Sequence, residues 1–117
     1  MNLVFIEATR FTERVQQLRA EEDLWNLENQ LCRDPEAGDV VQGTSGFRKV
    51  RMGLPGRGKR GGCRVIYLYV RSAARIYFVY LYPKNEDVDL SADQKRTLKY
   101  IGREIYEDIS KDPSANR

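Results

Sequence analysis

The hydrophobic pattern of residues 1–35 is that of one strand followed by two helices. Residues 3–6 are apolar and flanked by polar positions, which predicts a strand. Helical spacing predicts a first helix after Thr9, a suitable N-cap, and a second from Glu21 to the residues before Pro35. The apolar stripes of these helices comprise Phe11, Val15 and Leu18 in the first and Leu24, Leu27 and Leu31 in the second.

The rest of the chain predicts three strands and a last helix. The strands are expected over residues 47–52, 63–70 and 76–82, of which the last two are dense in β-branched and aromatic residues. Ser91 and Gln94 have the spacing of a capping box, so a helix is expected to begin there. Its apolar positions are Leu98, Ile101, Ile105 and Ile109.

This order of elements predicts an α+β fold, in which a small antiparallel β-sheet carries two N-terminal helices and a C-terminal helix. A chain of 117 residues has room for one hydrophobic core, so we expect a single domain over residues 1–110. Residues 111–117 contain Pro113 and are expected to form a frayed tail. Because no apolar run is long enough to cross a bilayer and the first residues lack a secretion signal, a cytoplasmic protein without a membrane partner is expected.

Charge is distributed unevenly along the chain. The net charge is only +3, but no acidic side chain occurs between Asp39 and Glu86, where ten Lys and Arg residues lie. The remaining residues carry all 17 acidic side chains and a net charge of −7. A solvated basic face is one interpretation of this pattern. Ten cations without counter-charges repel one another, however, which favours binding of a nucleic acid or another polyphosphate.

The composition excludes several kinds of catalysis. The chain has no histidine, which excludes Ser–His and Cys–His nucleophiles and imidazole acid–base chemistry. The two cysteines, Cys32 and Cys63, lack a metal-ligand spacing and lie in apolar patterns, where a thiol acts as a small hydrophobic side chain. We therefore expect no metal and no cofactor.

A glycine-rich basic segment, residues 53–62, is predicted to be a loop. It has the spacing of a phosphate-binding Walker loop as far as Lys59, but Arg60 stands where that motif needs Ser or Thr for magnesium. A nucleoside triphosphatase is therefore not expected. Arg57, Lys59 and Arg60 either belong to a simple hairpin loop or wrap a phosphate backbone, and their density favours the phosphate-binding interpretation.

A second candidate site lies at the end of the last predicted strand. Tyr82, Lys84 and Asn85 follow one another there, and an antiparallel hairpin would bring Arg64 close to them. Cations would stabilise the charge that develops when an RNA 2′-OH attacks its own phosphate, and Lys84 or Tyr82 could move protons. The alternative is that Tyr82 closes the core and the following residues form a turn.

Tyrosines alternate along the two central strands. A stacking surface for RNA bases and packing within the sheet both explain this pattern, and the absence of an RNP-like motif favours packing. The residues concerned are Tyr67, Tyr69, Tyr77 and Tyr80.

Several sequence strings resemble the RelE/HigB-type toxins of bacterial toxin–antitoxin modules. The similarity covers positions 3–109, and residues 58–67, Gly-Lys-Arg-Gly-Gly-Cys-Arg-Val-Ile-Tyr, are typical of the HigB-like branch. Residues 41–51, 82–86 and 89–94 continue it. The resemblance implies a small antiparallel sheet with N-terminal helices. It also implies a ribosome-dependent endoribonuclease (an mRNA interferase) that cleaves mRNA in the A site and inhibits translation.

The resemblance also implies roles for individual residues. Arg64 matches the strand arginine that contacts the scissile phosphate, and Lys84 and Asn85 take the place of a Lys-Arg pair. A catalytic tyrosine that relatives have a few residues later is replaced here by residues 89–91, so either Tyr82 substitutes for it or the role is absent. Arg48 and Arg51 match the family's basic strand that precedes the loop, and Lys59 and Arg60 match its basic loop positions; we expect these residues, with Arg57 and Asn85, to bind RNA phosphates.

The partners implied by the resemblance are mRNA, the ribosome with its rRNA, and a cognate antitoxin with a helix-turn-helix DNA-binding domain. We expect that antitoxin either to cover the basic stretch between Asp39 and Glu86 with an acidic segment or to bind the leucine stripe of the second helix. Two other functions remain open at this point: a non-catalytic RNA- or ribosome-binding module, and a corepressor that acts only when bound to the antitoxin.

Overall fold

A computed structural model describes residues 2–83 and 90–116 of the chain. Its elements agree with the predicted order, with one short strand added after the second helix. The strands are β1 (Val4–Glu7), β2 (Asp39–Val40), β3 (Arg48–Leu54), β4 (Gly58–Val70) and β5 (Arg75–Pro83). The helices are α1 (Thr9–Gln17), α2 (Glu21–Arg33) and α3 (Ala92–Ser110), and none of them could span a membrane.

The five strands form one sheet in the order β1-β5-β4-β3-β2. Neighbours from β2 to β5 are antiparallel, as expected for strands joined by short connections. β1 instead pairs parallel with β5, in the register Val4 to Arg75 and Glu7 to Phe78. The α+β class is therefore confirmed with a mixed sheet. Because two helices follow β1, no hairpin dictates its direction.

Helices cover both faces of the sheet. The face under α1 and α2, called the α1/α2 face, buries the leucine stripe of α2 together with Val65 and Phe78 of the sheet. The opposite face, called the α3 face, buries Leu98 and Ile109 of α3 against Ile66 and other strand residues. Alternate residues of β4 thus enter separate cores, as the predicted two-residue period requires. Leu24, Leu27 and Leu31 lie inside the first core, so the expectation that a partner could bind this stripe is wrong.

The glycine-rich segment forms the tip of a long β3–β4 hairpin, which corrects the prediction of a loop over residues 53–62. Leu54 pairs with Gly58, and only residues 55–57 connect the two strands. Gly62 explains this close pairing, because a Cβ atom at this position would lie 2.1 Å from the Met52 carbonyl oxygen. Glycine here allows two backbones to approach each other rather than leaving the segment irregular.

The helix ends and the C-terminal segment show which local signals the fold uses. Ser91 and Gln94 form the predicted capping box of α3, with reciprocal hydrogen bonds of 3.1 and 2.8 Å. The N-cap of α1 is Ala8, whereas the sequence favoured Thr9. The segment expected to be a frayed tail carries a 3-10 turn, Pro113–Asn116, that follows a 2.8 Å ion pair between Asp112 and Arg75.

Candidate functional site

Three predicted site residues form a row across the sheet. Arg51 of β3 lies opposite Arg64 of β4, and Arg64 lies opposite Tyr82 of β5. Directly opposed residues of antiparallel strands project from the same face with Cα atoms about 4.5–5.5 Å apart. Arg64 lies two residues before Ile66 in β4, so the two side chains project from the same face of the sheet. Ile66 belongs to the α3-face core, and the whole row therefore lies on the α3 face. The hairpin geometry expected from the sequence therefore does bring Arg64 next to Tyr82.

The two arginines of this row differ in burial. Arg64 is only 6% exposed and is the single buried residue among the charged side chains that the structure describes, whereas Arg51 is exposed. Burying a guanidinium is unfavourable unless its surroundings stabilise the charge. A cation in this position is held in place and only partly hydrated, so its attraction for an anion exceeds that of a surface arginine.

Tyr82 completes the row on the side of β5. It is 5% exposed and belongs to the α3-face core, as the core-closing interpretation requires. Its ring also lies 5.5 Å, centroid to centroid, from the ring of Tyr80, which is exposed. Tyr82 thus combines a packed ring with a position directly beside a buried guanidinium.

The basic residues of the hairpin lie farther from the row. Arg57 lies in the connecting turn and Arg60 in the first part of β4, and both are exposed. Lys59 is a β4 residue whose side chain lies outside the described part of the structure. Arg57 and Arg60 extend the positive charge from Arg64 toward the hairpin tip.

Arg48 does not join the other cations. It lies opposite Tyr67, whose side chain belongs to the α1/α2-face core, so Arg48 projects from the opposite face to Arg51. Its guanidinium donates to the Gly38 carbonyl at 2.7 Å, to the Glu36 carbonyl at 3.1 Å and to the Glu36 carboxylate at 3.0 Å. These bonds tie the segment between α2 and β2 to the sheet. The expectation of one continuous positive surface that includes Arg48 is therefore wrong.

Lys84 and Asn85 lie outside the described residues. Their proposed roles, and the prediction that Lys84 shares a surface with Arg64, remain predictions from the sequence and the resemblance.

Other candidate residues have structural contacts. The Tyr67 hydroxyl donates to the Pro35 carbonyl at 2.8 Å and accepts from the Gly38 N–H at 3.0 Å, and burial raises the pKa of this phenol. Cys63 is fully buried, and burial, followed by the charge of Asp23, raises the pKa of its thiol to about 12. Such a thiol is neither a nucleophile nor a ligand at neutral pH. Within the described residues, no three His, Cys, Asp or Glu side chains are arranged to hold a metal.

Sequence reasoning missed one member of this surface, Lys49, and left Tyr80 open between base stacking and packing within the sheet. Lys49 lies two residues before Arg51, opposite Ile66, and Ile66 lies opposite Tyr80. Lys49 and Tyr80 therefore form a second row on the α3 face, with Asp39 of β2 at its outer end. The two-residue period of β3 could have assigned Lys49 to the same face as Arg51. Nothing in the sequence places Lys49 and Tyr80 in the same row, because the row depends on the register of three strands.

The fold and this surface define a small α+β protein in which two arginines and a tyrosine form one cross-strand row on the α3 face. A family model described as "RelE toxin of RelE / RelB toxin-antitoxin system" matches residues 30–112, which is more than half of the chain. The chain belongs to the RelE family of toxins from toxin–antitoxin modules. The matched region runs from the end of α2 through the whole Arg51–Arg64–Tyr82 row and α3.

Proposed function

We propose that this toxin is a metal-independent endoribonuclease that enters the ribosomal A site, cleaves the mRNA there and so inhibits translation in the cytoplasm. The observation that carries the proposal is the buried Arg64, which lies between an exposed arginine and a tyrosine in one cross-strand row. The match to the RelE family supports the choice of an RNA-directed toxin over other polyanion-binding proteins. The HigB-like branch remains part of the proposal, as the resemblance suggested.

In the proposed reaction, the 2′-oxygen of a nucleotide attacks the phosphorus of its own 3′-phosphate. The 2′-O–P bond forms, the bond from phosphorus to the 5′-oxygen of the next nucleotide breaks, and the products are a 2′,3′-cyclic phosphate and a 5′-hydroxyl. Arg64 would bind two non-bridging oxygens through its planar fork as negative charge grows on them. Arg51 would bind the same or the adjacent phosphate from the solvent side.

The reaction also needs one proton removed from the 2′-hydroxyl and one given to the leaving 5′-oxygen. We assign Tyr82 as one proton carrier at the scissile phosphate; its position directly opposite Arg64 supports this assignment. We assign Lys84 as the second proton carrier and Asn85 as an RNA contact, on the sequence and the resemblance alone. Arg57, Lys59 and Arg60 would bind flanking phosphates of mRNA or rRNA.

A cognate antitoxin is the protein partner that follows from the family. We propose that it neutralises the toxin with an acidic segment over the Arg51–Arg64 surface, and that it carries a helix-turn-helix DNA-binding domain. Charge favours this location, because the basic stretch between Asp39 and Glu86 lies between acidic flanks of the sequence. The leucines of α2 are buried and therefore do not offer an alternative surface.

The test is single-turnover cleavage of an mRNA on programmed ribosomes. Arg64→Ala should lower the rate about 10²–10³-fold, the typical effect of removing one donor that stabilises a developing oxyanion. Arg71→Ala is the matched control, because Arg71 is an exposed arginine at the opposite end of β4. Thermal melts followed by circular dichroism establish that both variants fold.

Cleavage that is undiminished in a folded Arg64→Ala variant would place the active site elsewhere. If the parent binds ribosomes without cleaving mRNA, the protein is a binding module. If it neither binds nor cleaves, and acts only in operator binding by the antitoxin complex, it is a corepressor.

A further inference from the structure

A cavity of about 290 Å³ opens beside Tyr80 on the α3 face, between β5 and the first turns of α3. Its inner walls are apolar and include Leu90, Leu98 and Ile101. Tyr80 lies along one side and is 41% exposed, although its ring lies 5.5 Å, centroid to centroid, from the ring of the buried Tyr82. An exposed aromatic ring beside an apolar cavity is a surface on which a flat ligand can stack.

The rim of this cavity is polar on the side of α3. The Gln94 side-chain oxygen accepts a hydrogen bond from the Ser91 N–H at 2.8 Å, which fixes the orientation of the amide. Because Gln94 also lines the cavity, its amide nitrogen is the donor that this side chain offers to a ligand there. The Thr97 hydroxyl donates to the Asp93 carbonyl, and the Asp93 carboxylate forms an ion pair with Arg96, which offsets its repulsion of an anionic ligand.

The cavity lies one step from the proposed cleavage site. Tyr80 is two residues from Tyr82 along β5, a displacement of about 7 Å at the rise of an extended strand. One nucleotide of an extended RNA strand covers such a distance. A nucleotide whose phosphate binds Arg64 could therefore place its own base, or that of its neighbour, against Tyr80.

We propose that the Tyr80 cavity binds a single nucleobase next to the scissile phosphate and contributes to codon preference. Tyr80 stacks on the base, the apolar walls exclude water, and the Gln94 amide nitrogen donates to an acceptor on the base edge. A lone donor favours a base that presents a carbonyl oxygen, such as guanine or uracil, over one that presents an amino group there. This inference rests on the proposed endoribonuclease function, because the cavity would then belong to the mRNA path.

The experiment compares cleavage rates over a set of messages that place each of the four bases at each A-site position. Tyr80→Leu should lower the single-turnover rate about 5–150-fold, the range measured when a base loses an aromatic stacking partner. Tyr80→Phe keeps the aromatic ring, so it should lower the single-turnover rate by a smaller factor than Tyr80→Leu. Tyr106→Leu is the matched control, because Tyr106 is similarly exposed, at 47%, but lies on α3 five residues beyond Ile101, the last α3 residue that lines the cavity.

Gln94→Glu separates base recognition from helix capping. Glutamate retains the side-chain oxygen that caps the Ser91 N–H, so the melting temperature should stay near that of the parent. Its carboxylate accepts hydrogen bonds instead of donating them, so the preference should move from carbonyl-bearing toward amino-bearing bases at one A-site position.

The outcomes distinguish this inference from the function on which it rests. A parent protein that does not cleave mRNA contradicts the proposed function, whatever the variants do. A cleaving parent whose Tyr80→Leu variant retains the parent's rate and base preference overturns the cavity assignment. If Tyr80→Leu instead weakens only the affinity for purified antitoxin, the cavity binds a protein side chain and the nucleobase assignment is wrong.

Discussion

Arg64 and Tyr82 lie directly opposite each other on β4 and β5, and both side chains are buried on the α3 face. This pairing depends on the register of β5 against β4, because a slip of one residue in β5 would turn Tyr82 toward the α1/α2 face while Arg64 stayed on the α3 face. A phenol and a guanidinium are thereby held side by side within the core of the sheet. The proposed chemistry therefore depends on strand pairing as much as on residue type.

Replacing Tyr82 tests whether its hydroxyl acts in catalysis. Tyr82→Phe should lower the single-turnover cleavage rate about 10²-fold, at the lower end of general acid–base effects, and less than Arg64→Ala does. The ring remains, so the core should be retained. If the cleavage rate of this variant equals that of the parent, Tyr82 serves only to close the core.

Replacing Arg64 by lysine tests the importance of the planar fork. Lysine keeps the positive charge but cannot bind two phosphate oxygens in parallel, so we expect the rate to fall by about tenfold or more. Single-turnover cleavage on programmed ribosomes measures this loss. A fully active lysine variant would indicate that only net charge matters at this position.

Arg48 should affect stability rather than activity. Arg48→Met removes hydrogen bonds to two carbonyl oxygens and one carboxylate, and should lower the free energy of unfolding by about 1–2 kcal/mol. Urea denaturation measures this change. Cleavage under folding conditions should stay near the rate of the parent, and a large loss in a folded variant would restore Arg48 to the RNA-binding surface.

Binding to ribosomes should weaken steeply with salt. Each phosphate neutralised in single-stranded RNA adds about 0.7 to the slope of log affinity against log salt concentration. Arg51→Met should reduce the slope by about that amount, whereas Arg71→Met should leave it unchanged. Sedimentation of the toxin with ribosomes over a salt series measures the slope, and a parent slope near zero is incompatible with an electrostatic interface.

The hairpin should tolerate a side chain at Gly61 better than at Gly62. A Cβ atom at Gly62 would lie 2.1 Å from the Met52 carbonyl oxygen, so Gly62→Ala must force the strands apart and should cost about 2–4 kcal/mol. At Gly61 the nearest atom, the Arg57 carbonyl oxygen, is 3.1 Å away, and a smaller shift suffices. Thermal melts of the two variants should rank them in that order.

Cys63 should be unreactive in the folded protein. Burial raises the pKa of its thiol to about 12, so the thiol stays protonated at pH 8. A thiol reagent should label Cys32, which is partly exposed, and reach Cys63 only after denaturation. Rapid labelling of two thiols in the native state would contradict the buried position of Cys63.

Local signals in the sequence determined much of the secondary structure. The second helix begins at Glu21 and ends before Asp34, as its acidic first turn and Pro35 predicted. The capping box of α3 and the two-residue alternation of β4 were also predicted correctly. Such features depend on residues a few positions apart, whose hydrogen bonds and side-chain directions follow from backbone geometry.

Tertiary structure decided which of these elements and side chains meet. The parallel direction of β1, the rows that join Arg51, Arg64 and Tyr82, and the opposite orientation of Arg48 all depend on pairings between distant segments. In the sequence, all of these arginines lie in the same acid-free stretch and are equal candidates for binding RNA. Only the register of the sheet separates them, because a shift of one residue exchanges one face for the other.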